Sequence, residues 1–191
     1  ETIPDGTYGA KDELEGFTEP LPIFVEVTVD DDEILVDFEG SAPQQQHYAI
    51  NSSWKYTFAY TMLSVKAICD PDTPQTHGTV SPITMTAPER SIVNVRPPAP
   101  VASRQLVAHC IISAVTRALS EPMPGRVPAE GGIIHRQAVQ FTDVDTGEQK
   151  ILSDGHFGGG GARPERDGEP AVACTLNVKN TPVEVLETEF P

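Results

Sequence analysis

The stretch PIFVEVTVDDDEILVDFEG, Pro22 to Gly40, sets the fold class. Two runs of alternating apolar and polar residues flank a four-residue acidic turn, the pattern of a β-hairpin with one buried face. Ile23, Val25, Val27 and Val29 share that face, and Ile34, Val36 and Phe38 complete it on the second strand. Upstream, the first twenty residues read as turn-rich.

Downstream the period changes. In NSSWKYTFAYTMLSVKAICD, residues Trp54, Phe58, Met62, Val65 and Cys69 recur every three or four positions, which predicts a helix over about 51–69. Asn51, Ser52 and Ser53 are N-cap candidates, and Pro71 and Pro74 bar continuation. DPDTPQTHGTVSP reads as a loop and ITMTAP as a short strand ended by Pro88. After the extended RPPAPV, the run ASRQLVAHCIISAVTRALSEP predicts a second helix over about 103–120. Its apolar face takes Leu106, Cys110, Ala114 or Val115, and Ala118 or Leu119, with His109 beside it as a structural histidine. GIIHRQAVQF and EQKILSDG form another hairpin around the Asp/Gly turn TDVDTG, and the final AVACTLNVKNTPVEVLETEFP leaves strand and helix both open. Hairpins mixed with two main helices, without repeated βαβ units, make the class α+β with a mixed or antiparallel sheet.

At 191 residues the chain is one domain or two small ones, read here as a single α+β piece over 1–191. Eighteen prolines and fifteen glycines point to many turns and extended connections rather than long helices. A net charge of −15 opposes binding to a phosphate backbone, so no nucleic acid partner is expected. No apolar run reaches the roughly 20 residues of a membrane span, and no signal peptide opens the chain. Cys69, Cys110 and Cys174 are scattered without a C-x-x-C pair, which fits reduced thiols in the cytoplasm. The sequon Asn51-Ser52-Ser53 carries no weight in that setting.

SDGHFGGGGARPERDG, Ser153 to Gly168, is the most unusual stretch, because four consecutive glycines are entropically costly unless something needs bare backbone. It is not a P-loop, since no lysine follows the glycines, and Pro164 removes an N–H and resists the helix that a dinucleotide site needs. There is no G-x-S-x-G or H-E-x-x-H, and His47, His77, His109, His135 and His156 lack helical metal-ligand spacing. His156 stands two residues from Asp154, and Arg163 and Asp167 bracket the far side of Gly158, Gly159, Gly160 and Gly161. Such a cluster suits a polar substrate, with Arg163 as a fork for a carboxylate. The alternative is a solvated turn.

Four stretches, in order, resemble the hydantoinase B/oxoprolinase family: VDFEGSAPQQQHYAIN, TVSPITMTAPERSIVNVRPPAPV, GHFGGGGARPERDGEPAV and NTPVEVLETEFP. The opening IPDGTYGAKDELEG fits the segment that precedes the first hairpin there, so the resemblance covers nearly the whole chain. It implies a subunit of an ATP-dependent enzyme that opens cyclic amides of the hydantoin or 5-oxoproline type. It also implies a hydantoinase A-type partner that holds ATP with magnesium and phosphorylates the substrate. Related members are ATP-dependent ketone carboxylases, which is the alternative, and a non-catalytic docking module is another. The family's divalent metal is expected in an N-terminal portion with N-D-P-Y, G-T-H and H-H-A-D motifs, none of which occurs here, so no metal is expected on this chain. The ends, ETIPDG and EVLETEFP, read as those of a piece cut from the middle and C-terminal part of such a subunit, inactive alone.

Residue by residue, Asp37, Phe38, Gly40, Ser41 and Asn51 match one family pattern. Gly158 to Gly161, Arg163, Asp167 and Gly168 match a second, and Asn180, Pro182 and Glu184 a third. The departures around Thr76, Ser81-Pro82 and Glu89-Arg90 bear on the substrate more than on membership. The resemblance makes Asn51, Asp154, His156, Gly158 to Gly161, Arg163 and Asp167 the candidate substrate-binding residues, with Arg163 or Arg104 as a carboxylate or amide clamp. Two roles remain for the glycines: a bare backbone for an oxyanion or a facing subunit, or close packing of hairpin on helix.

Overall fold

The valine alternation builds its hairpin as expected. In a computed structural model that describes residues 3–132, 134–169, 172–173, 178–179 and 187–189, β2 (Leu21–Asp30) pairs antiparallel with β3 (Glu33–Asp37). Asp30 pairs directly with Glu33, so the turn itself is two residues, with Asp31 in the left-handed region at φ 54°. Ile23, Val25, Val27, Val29, Val36 and Phe38 are all buried. β1 (Gly6–Leu14) runs antiparallel along the other side of β2, and β4 (Ile83–Thr86) runs parallel to β3. The mixed sheet therefore has the order β1-β2-β3-β4.

β1 corrects the expectation of a turn-rich start. Tyr8, Ala10 and Leu14 alternate onto the core, but intervening glycine and charge hide the period in the sequence. Its pairing with β2 over nine positions supplies the order that its composition lacks.

Helices α1 (Trp54–Cys69) and α3 (Arg104–Ser120) stand where the 3.6-residue period places them. α3 lies against β1, β2 and α1, and Val107, Ile111, Ala114, Val115 and Leu119 fill the core beneath it. The buried faces are rotated from the apolar stripes. Thr57, Thr61 and Ser64 of α1 are buried while Phe58 is 37% exposed, and Leu106 of α3 is 39% exposed. Hydroxyls can occupy that face because each is satisfied: Thr61 donates to the Thr57 carbonyl, Ser64 to the Tyr60 carbonyl and Thr57 to the Val93 carbonyl. The loop after α1 also contains a single turn, α2 (His77–Val80), closed by a capping box at Thr76.

The chain divides into two compact units, Glu1–Val127 and Pro128–Pro191. The second holds the expected hairpin, β5 (Ile134–Thr142) and β6 (Gln149–Phe157), around a turn in which Asp143 accepts from the amides of Asp145 and Thr146. β6 reaches Phe157, two residues beyond the EQKILSDG run expected of the hairpin. A short pair, β7 (Val172–Ala173) and β8 (Val178–Lys179), follows. Cys174, Asn180, Pro182 and Glu184 lie outside the described residues. Among the described residues, no helix is long and apolar enough to cross a membrane.

His109 sits buried on α3, and desolvation holds its imidazole below the ordinary value near 6.5. As pH falls, the unfolded chain takes up this proton first, so the stability contribution is full above about pH 6.5 and is lost below it. Urea midpoints should fall between pH 7 and pH 5, and His109→Gln should flatten that slope. An unchanged slope in the variant would assign the pH response elsewhere.

Candidate functional site

The parallel pair β3–β4 gives the first unit a carboxyl-end rim, the place where open α/β sheets bind ligands. Asp37 ends β3 and Thr86 ends β4, opposite each other, and the Thr86 hydroxyl donates to Asp37 Oδ1 at 2.7 Å. Two loops rise from these ends, residues 38–53 leading to α1 and residues 87–103 leading to α3.

The loops are laced together by backbone. The Ile92 amide donates to the Ala42 carbonyl (2.8 Å), the Gln44 amide to the Arg90 carbonyl (2.7 Å) and the Ser52 amide to the Ile92 carbonyl (2.7 Å). Ile92 and Val93 are fully buried beneath this lacing. Arg90 is held in the left-handed region at φ 64°, a strained position for a residue with a side chain.

Asn51, a sequence-predicted site residue, is the centre of the clamp. Its Oδ1 accepts from the Gln45 amide at 2.7 Å, and its Nδ2 donates to the carbonyls of Gln45, Tyr48 and Pro100. The side chain is fully buried, so its polar atoms face the protein's own backbone, and the sequon is inaccessible. Arg104, the other proposed clamp, lies with its guanidinium 5.1 Å from the Tyr56 ring and donates to the Val101 carbonyl.

At the end of β4, the second loop and the first residue of α1 line a cleft of about 370 Å³, among them Trp54, Met85, Thr86, Glu89, Asn94 and Arg96. A second, of about 240 Å³, lies across Glu89 along Gly40, Ser41 and Arg90. Arg96 donates to Glu89 Oε1 at 2.5 Å, and both side chains are at least half exposed. An aromatic wall beside a paired donor and acceptor suits a small, flat, polar ring. Neither Glu89 nor Arg96 is among the sequence-predicted site residues. The available signal was three charges in one loop, Glu89 and Arg90 before SIVNV and Arg96 after it.

Cys69 is not poised as a nucleophile, because burial pushes its thiol up to about 11. Among the described residues, no three His, Cys, Asp or Glu side chains converge as a metal site.

The glycine run belongs to the second unit, and what lies against its backbone is more backbone. The Gly132 amide donates to the Gly159 carbonyl, the Ala129 amide to the Ala162 carbonyl, and the Gly160 amide to the Glu169 carbonyl. A Cβ on Gly158 would stand 2.3 Å from Gly132 Cα, one on Gly161 1.6 Å from the Ala129 oxygen, and one on Gly168 1.7 Å from the Gly160 oxygen. Three chain segments thus stack at distances that only glycine permits. The close packing is of loop on loop, rather than hairpin on helix. Asp154 and His156 are placed by their backbone on β6, opposite Gln137 and His135. Arg163 and Asp167 are exposed, and Arg163 closes a turn with Arg166 through reciprocal backbone bonds.

Residues 1–191 match the hydantoinase B/oxoprolinase family. A protein of Pseudomonas sp. assigned as the B subunit of a D-/L-hydantoinase is 29% identical over 203 residues, covering 99% of this chain and 34% of its own length. The crystal structure of an ATP-dependent caprolactamase from Pseudomonas jessenii shares the fold with a TM-score of 0.75 at 24% identity, over 99% of this chain and 34% of that one. A nucleotide-free acetone carboxylase shares it with a TM-score of 0.73 at 18% identity, over 97% and 28%. The chain spans about a third of the length of these proteins.

Gly161→Ala should destabilise the second unit by about 3 kcal/mol or more, because the added carbon meets backbone that has no rotamer to yield. Gly155→Ala, which meets nothing within 4 Å, is the control. Proteolysis around 158–169 reports the difference, and equal resistance of both variants would contradict the stacking. Asn51→Ala should cost the first unit about 2–4 kcal/mol in urea unfolding, with no rescue by Asn51→Asp, which cannot donate to the three carbonyls.

Proposed function

Because the chain belongs to the hydantoinase B/oxoprolinase family, we propose that it forms the middle-to-C-terminal part of a subunit that opens cyclic amides of the hydantoin or 5-oxoproline type in an ATP-dependent reaction. In this reading a hydantoinase A-type partner holds ATP with magnesium and activates the substrate. The hetero-oligomer works in the cytoplasm. In the same reading, the divalent metal belongs to the N-terminal portion of such a subunit.

The observation that supports the reading is the Glu89–Arg96 pair in the Trp54 cleft. A ring constrains its amide to be cis, so N–H and C=O lie side by side. A carboxylate and a guanidinium held next to each other present the matching acceptor and donor. The pair is half exposed, and such ion pairs are worth only about 0–1 kcal/mol, so a substrate displaces it at little cost. Trp54 then offers its ring as an apolar wall. Asn51 and the glycines hold backbone in place.

A ketone offers a carbonyl but no N–H, so Glu89 would have nothing to accept. The carboxylase alternative therefore draws its support from the shared fold. The test is turnover by a full-length protein containing this sequence, with its partner, ATP, and a panel of hydantoin, 5-oxoproline and acetone with bicarbonate. The expected result is hydrolysis of a cyclic amide, with Arg96→Ala and Glu89→Ala each raising KM about tenfold or more, the effect of one lost charged hydrogen bond. Carboxylation of acetone alone would establish the alternative. Unchanged KM in both variants would move the substrate away from this cleft. The 191 residues alone are expected to turn over nothing.

A further inference from the structure

The β5–β6 hairpin is a two-stranded sheet of nine paired positions with no bulge. Val139 and Leu152 face each other across the strands, with Phe141 two positions along, and these are 53%, 61% and 45% exposed. Ile151, at 71%, is exposed on the opposite face. Single exposed apolar residues are ordinary on protein surfaces, but here they are contiguous and occupy both faces of one element.

Among the described residues, no further strand pairs along the edges of this hairpin. The Asp143 amide donates to the Glu148 carbonyl, and from that bond the antiparallel ladder alternates. The amides of residues 138, 140 and 142 on one strand, and of 149, 151 and 153 on the other, therefore turn outward. Natural edges are guarded by charge, proline or a bulge. Residues 137–142 and 149–153 contain no proline and one charge, Lys150, which is paired with Asp143 in the turn. A lone two-stranded hairpin with this surface is marginal in water.

We propose that this hairpin is a docking arm that receives a strand from the remaining two-thirds of the hydantoinase B-type polypeptide, enlarging the two-stranded sheet. The inference rests on the reading of the chain as part of such a polypeptide. Relatives carry about twice as much again of chain beyond the matched third, which places an intramolecular strand at high effective concentration. A second copy is a poorer occupant, because each copy brings a net charge of −15.

Hydrogen exchange, measured on the 191-residue chain and on a full-length protein containing it, tests this. The expected result is rapid exchange at 138, 140, 142, 149, 151 and 153 in the short chain, and protection on the order of 100-fold in the long one. Val139→Lys with Leu152→Lys should abolish the added protection while the inward amides of the hairpin stay protected. Equal rates in both chains would overturn the proposal. So would protection that rises with concentration of the short chain, which indicates a second copy, or protection that needs the ATP-binding partner. Cyclic-amide turnover without edge protection would sink the docking arm alone, and edge protection without turnover would sink the functional reading alone.

Discussion

Burial of one face of β2 is the constraint on which the first unit depends. Its valines and Ile23 alternate inward without interruption, so a slip of one residue would turn the whole set to solvent. That fixes the register of β1 on one side and β3 on the other. β3 in turn fixes β4, and the parallel step between them requires a crossover, which α1 supplies. Two loops leave these neighbouring strand ends and are laced together by backbone before either helix begins, and the second of them lines the cleft.

The clamp that holds those loops is made of groups that have no other use. A buried asparagine can satisfy several backbone groups at once, and Asn51 does so for three residues, one of them 49 positions away. Thr57 adds a hydroxyl from the first turns of α1 to the Val93 carbonyl. Loop order therefore derives from hydrogen bonds in a dry interior, where an unmade bond is expensive. Glu89 and Arg96 stand on the loop that this framework holds.

Much of this was legible in the chain. Period-two alternation revealed β2, β3, β5 and β6, and the 3.6-residue period revealed α1 and α3 to within a few residues. The family resemblance stood on ordered motifs, and the family match covers residues 1–191. What escaped the reading depended on partners distant in sequence. β1 needed β2 to make sense of Tyr8, Ala10 and Leu14. The inner face of α1 departs from the apolar stripe because satisfied hydroxyls can replace apolar carbon, as at Thr57, Thr61 and Ser64. Composition marked the glycine run as costly but did not reveal that its neighbours are residues 129–132 and 168–169. Glu89 and Arg96 were visible as charges, while their meeting depends on how SIVNV folds between them.

The glycine stack has a consequence for inheritance. Gly132 faces Gly158, and Gly168 faces Gly160, so a side chain gained at one position collides with a backbone whose own freedom depends on the other glycines. No single step leads away from the set, because relief would require another chain segment to withdraw at the same time. Descendants of this sequence should keep Gly131, Gly132, Gly158, Gly161 and Gly168 as one unit, or lose them together with the loop they build.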